Sequence, residues 1–211
     1  MTDPENENAE NTVPLHEHAI DNILYIRDTM SKSTQFTGVP GWGMVIVGGL
    51  ATLGSFVANL RLSADWWMNT WVAIGFVSVL IGFISLRLKA HKNETKVLTA
   101  PGKRFLMCFT PAIVVGVALT EIFYYQGLQH LLPCMWLFLY GTAVLNASAF
   151  SIPIVPIWGI TTFALGFVAM KTPFPHEVVV LNYTPLDLCM LAGFGLAHVV
   201  FGLVIAVRYG G

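Results

Sequence analysis

The chain has 211 residues and a formal net charge of −1, with 55% apolar and only 11% charged side chains. Ordinary soluble domains carry roughly 25% charged residues, so this composition excludes a water-soluble globular fold. The near-neutral balance gives no reason to expect a nucleic-acid partner.

Residues 1–13 are acidic and Asn-rich with no periodic apolar positions, and read as a disordered tail. Over 14–35 the pattern changes: Leu15, Ala19, Ile20, Ile23, Leu24 and Met30 recur three and four residues apart. That spacing predicts an amphipathic helix. Its other face carries His16, Glu17, Asp21, Asn22 and Asp28, which makes it too polar to span a membrane. An acidic polar face favours docking on protein over docking on anionic lipid. The Gly- and Pro-rich stretch Phe36–Gly43 then ends the helix.

Residues 36–211 read as a transmembrane domain. Six apolar stretches, near 42–60, 66–86, 105–125, 131–150, 154–170 and 186–207, approach the ~20 residues that cross a bilayer as a helix. The fifth is the shortest and carries Pro153 and Pro156 near its start. The expected fold class is therefore all-α: a polytopic transmembrane helical bundle of about six spans, preceded by an amphipathic helix. Spans four and five are joined only around Ser151-Ile152-Pro153, which makes them antiparallel neighbours. Thr184-Pro185-Leu186-Asp187 reads as a capped helix start.

Lys and Arg set the expected orientation. With a cytoplasmic N-terminus, Arg27, Lys32, the cluster from Arg87 to Arg104 and Arg208 lie inside, and only Arg61 and Lys171 lie outside. That is nine against two, as the positive-inside rule prefers. The expected location is a bacterial inner membrane. The expected partners are the lipid bilayer and a membrane protein or a second copy of the chain.

A faint repeat runs through the membrane part. Val39-Pro40-Gly41-Trp42-Gly43 opens the first span and Val155-Pro156-Ile157-Trp158-Gly159 the fifth. At a fixed offset, Gly75, Ser78 and Gly82 match Gly195, His198 and Gly202. Both copies run in the same direction, unlike the inverted repeats of many transporters.

Few polar groups fall inside the spans. His198 sits in the middle of the last one, and an ionisable group there is a functional candidate by default. Gly195 and Gly202 share its face at i−3 and i+4, so that face is expected to meet another helix closely. Asn146, Thr142 and Ser78 are the other intramembrane candidates, with interhelical hydrogen bonding as their plainer role. Toward the outer surface, Glu121 and His130, together with His176 and Glu177, would make a polar cluster without ligand spacing. Cys108, Cys134 and Cys189 lie in apolar runs, odd in number and without CxxC spacing, so neither a disulfide framework nor a zinc site is expected. With His198 the only histidine deep in a span, a bis-histidine haem is not expected either.

The stretches Phe36–Gly43, Leu132–Phe150 and Gly193–Gly211 resemble those of a group of uncharacterised bacterial polytopic membrane proteins. That resemblance implies a membrane fold and no particular activity. Ala197-His198 with Gly202 is also similar to the last helix of rhomboid intramembrane serine peptidases. There the similarity would assign His198 as base and Ser148 as nucleophile, but the Gly-x-Ser-Gly run of that family is missing. The expected function is thus a non-enzymatic accessory, scaffold or sensing component. A small-solute transporter or channel is the main alternative, and an intramembrane serine peptidase a remote one.

Overall fold

The computed structural model describes residues 12–33, 35–63, 65–92, 94, 99–171 and 183–210. Most of the acidic tail and the connection from 172 to 182 lie outside them. The chain forms two units, residues 1–35 and 36–211.

The first unit holds α1, Thr12–Ser33, two residues shifted at each end from the expected 14–35. Among the described residues the second holds six α-helices: α2 Gly41–Ala58, α3 Trp66–Lys92, α4 Ala100–Tyr125, α5 Leu132–Ser148, α6 Val155–Lys171 and α7 Pro185–Tyr209. The all-α expectation holds. Five of the helices, α2, α3, α4, α7 and α5 with its preceding turn, are long and apolar enough to cross a membrane. The apolar α6 has 17 residues, about 26 Å of helix against a hydrocarbon core of about 30 Å.

Local chemistry sets the ends. Thr99 accepts from Gly102 N at 3.3 Å and Pro101 follows it, so α4 starts five residues before the apolar run that marks it in sequence. Gly127, at φ 70, ends α4. Its N–H reaches Tyr124 O at 3.2 Å, and Leu128 N reaches Phe123 O at 2.8 Å. This Schellman closure needs the left-handed conformation that glycine adopts freely. The predicted capping box at Thr184 and Asp187 is present, with Pro185 in the first turn. α3 continues six residues past Leu86 through Arg87, Lys89 and Lys92. Cations in a last helical turn are stabilising and keep their heads in the polar layer.

Contacts at the two ends show that all six helices traverse the unit in alternation. At one end Lys89 Nζ donates to Val39 O at 2.9 Å and to Gly210 O at 2.5 Å. Phe36 N donates to Phe150 O at 2.7 Å, and the Phe36 ring packs 5.2 Å from Phe105. The starts of α2 and α4 and the ends of α3, α5 and α7 therefore meet there, at what is here termed the basic end. At the opposite end Asp187 joins Arg61 and Trp67, both at 2.7 Å, and Tyr124 Oη donates to Asp65 at 3.4 Å.

Side by side, α3 packs on α2, α2 on α7, α7 on α5 and α6, α6 on α5, and α5 on α4. The α2–α7 contact is backbone against backbone. A Cβ on Gly48 would lie 2.6 Å from Val199 N, and one on Gly202 would lie 2.8 Å from Val45 N. Small residues thus let two backbones touch, which is how packing replaces the hydrophobic effect inside lipid. The outer helices differ. Among described residues α3 buries only Ile74, Lys89 and Ala90, and α4 only Gly102 and Gly116.

The two halves of the faint repeat pack differently. Gly195 and Gly202 lie against α2, whereas a Cβ on Gly75 or Gly82 would meet nothing within 4 Å. Trp158 is buried, while its counterpart Trp42 is exposed.

Candidate functional site

His198 lies inside the bundle with 4% of its surface accessible. The helix that carries it is not uniform: Leu191–Leu196 forms a π-helical stretch just before it. Such wide turns occur often at functional positions in helices. His198 Nδ1 reaches back five residues to Gly193 O at 3.3 Å, and Nε2 lies 2.8 Å from Tyr140 Oη on α5. A carbonyl oxygen can only accept. The bond to Gly193 therefore assigns the proton to Nδ1, and Nε2 accepts from the Tyr140 hydroxyl. Both ring nitrogens are thus engaged.

Aromatic rings enclose the pair. Trp158 from α6 meets His198 edge-on at 5.0 Å between centroids. Phe194 stacks one turn away at 6.1 Å, and Tyr140 contacts Trp158 and Phe194 at 5.8 and 5.2 Å. His198 thus reaches α5 and α6, while Gly195 and Gly202 on the same helix face α2. The expectation that small residues mark an interior face is met, but the histidine and the glycines serve different neighbours.

The other sequence candidates do not converge on it. Thr142 is half-buried and Asn146 exposed on α5, and Ser78 is half-buried on α3. Ser148 Oγ donates to Leu145 O at 2.6 Å, so the hydrogen bonds of Ser148 and His198 go to different groups. Glu121 near the end of α4 and His130 before α5 are exposed, and His176 and Glu177 lie outside the described residues. Among the described residues no group of three His, Cys, Asp or Glu side chains is placed to hold a metal ion. The three cysteines are free thiols, with Cys189 buried.

A second polar centre was legible only in part. Asp187, 5% exposed, caps its own helix and also holds Arg61 Nη2 and Trp67 Nε1, each at 2.7 Å. Arg61 adopts φ 47, a left-handed conformation costing roughly 1–2 kcal/mol for a residue with a Cβ. The ion pair and the α2–α3 turn hold it there.

No protein-family model matches the chain, and the curated proteins and the solved structures give no significant match. Fold and helix composition define the class: a polytopic α-helical membrane protein.

Proposed function

We propose that the chain is a non-enzymatic membrane component, an accessory or scaffold subunit, with its N-terminus and basic end on the cytoplasmic side of a bacterial inner membrane. One observation carries this reading. α1 is too polar to cross a bilayer, yet Ile20, Ile23 and Leu24 line one of its faces. An apolar stripe on such a helix marks an interaction surface, and an amphipathic helix laid into a partner groove is a recurring solution. Its acidic residues Glu17, Asp21 and Asp28 disfavour anionic lipid as the cover.

Many hydroxyl side chains of the spans support the same reading, because hydrogen bonds within or between helices occupy them. Thr52, Thr120, Thr161 and Thr162 each donate to the carbonyl four residues back. Trp136 Nε1 bridges α5 to Thr120 on α4 at 3.0 Å. The test is extraction in mild detergent, with and without residues 1–33. The intact chain is expected in a stoichiometric complex or a homo-oligomer that the truncated chain does not form. A monomeric, partnerless intact chain contradicts the proposal.

A small-solute transporter is the second reading, favoured by the histidine–tyrosine pair deep in the spans. It requires His198→Ala to abolish uptake while the folded protein remains in the membrane, and unchanged uptake dismisses it.

A further inference from the structure

α3 and α4 follow one another in the chain, yet they share no extended interface: α3 packs on α2 and α4 on α5. Between them a row of rings crosses the unit. Trp71 on α3 lies 6.3 Å from Phe194, Phe194 5.2 Å from Tyr140, Tyr140 5.8 Å from Phe109 on α4, and Phe109 6.1 Å from Phe105. These five side chains are all half-buried. Trp71 belongs to the first turns of α3 and Phe105 to the first turns of α4, which start at opposite ends. The row therefore runs obliquely across the bilayer thickness. Gly75 and Gly82 share a helix face with Trp71, and a Cβ on either would meet nothing within 4 Å. The result is an apolar opening with an aromatic floor and a wall of small residues.

The cations of α3 and α4 lie at one end only. Lys92 closes α3, and Lys103 and Arg104 open α4. All three are exposed, and no carboxylate among the described residues pairs with them. At the opposite end Asp65 and Tyr124 draw the two helices together. An amphiphile with an anionic head and an acyl tail matches both the opening and its charged end.

We propose that the opening between α3 and α4 binds an anionic phospholipid of the surrounding bilayer, its phosphate at Lys103 and Arg104 and an acyl chain along the aromatic row. A zwitterionic lipid fits the floor equally well but gains little from the cations, since near-surface Lys and Arg attract net negative charge. This inference needs only the membrane-embedded unit and is independent of the role of α1.

The full chain, reconstituted in nanodiscs of equal phosphatidylglycerol and phosphatidylcholine and re-extracted in mild detergent, is weighed intact by native mass spectrometry. One phosphatidylglycerol is expected to remain bound, preferred about tenfold over phosphatidylcholine. Lys103→Gln with Arg104→Gln, both at exposed positions, should remove that preference. Gly75→Leu with Gly82→Leu places its side chains in open space and should fold, with an unchanged melting transition, yet retain neither lipid. Equal retention of both lipids by the intact chain overturns the proposal. So does wild-type retention in either double variant, or a lipid-free dimer whose cross-links join α3 and α4 of two copies.

Discussion

Tyr140 Oη sits 2.8 Å from His198 Nε2, joining α5 to α7 among the rings of Trp158 and Phe194. With Nδ1 on the Gly193 carbonyl, the imidazole ties the π-helical turn to the neighbouring helix. Tyr140→Phe keeps the ring and leaves Nε2 without its donor. The expected loss is about 1–2 kcal/mol, read as a lower melting temperature in detergent. His198→Ala should cost more, since it also leaves a void. The double variant Tyr140→Phe/His198→Ala should fall short of the sum, because each change removes the same bond. Additive losses would show that the two side chains do not act together.

Asp187 anchors the other end of α7. Asp187→Ala strips the cap from Thr184 and frees both Arg61 and Trp67, a loss of about 2–4 kcal/mol. Arg61→Ala should cost less, about 1 kcal/mol, because the arginine is half-exposed and the carboxylate keeps its other donors. Chemical or thermal unfolding of the two variants in one detergent checks the order. An arginine variant that loses more than the aspartate variant would contradict it.

Glycines in the two halves of the faint repeat should respond oppositely to size. Gly48→Leu or Gly202→Leu drives a side chain into the facing backbone, and overpacking of this kind costs typically 1–3 kcal/mol or more. Gly75→Leu meets open space and should be tolerated. Folded yield and monodispersity on gel filtration separate the outcomes, and equal behaviour at all three positions would count against the α2–α7 contact.

The spans were legible because length and apolarity suffice when every peptide group must bond within its own segment. The cap at Thr184-Asp187 was legible for the same reason, being local chemistry. The start of α4 at Thr99-Ala100-Pro101 was equally local, but the apolar run beginning at Phe105 masked it. Side-chain facing was harder. A helix that is apolar all round has no amphipathic phase, so Asn146 read as an interior group although α5 exposes it. His198 was found by its glycine neighbours. Its partners Tyr140 and Trp158 stand on other helices, and nothing in a single sequence pairs positions 58 and 40 residues apart. Arg61 carried a signal, as one of two cations expected on the outer side, opposite a capping aspartate.

Lys89 bonds both Val39 and Gly210, which puts the start of α2 and the end of α7 at one end of the unit, as six crossings that include the short α6 would. In a background without native cysteines, single cysteines at Ser63, Glu94 and Tyr209 are probed with a membrane-impermeant maleimide. In intact spheroplasts Ser63→Cys should react, while Glu94→Cys and Tyr209→Cys should react only after permeabilisation. Positions 94 and 209 labelled from opposite sides, or 63 and 94 from the same side, would contradict the six-crossing bundle, and labelling of 94 and 209 but not 63 from outside would reverse the proposed orientation.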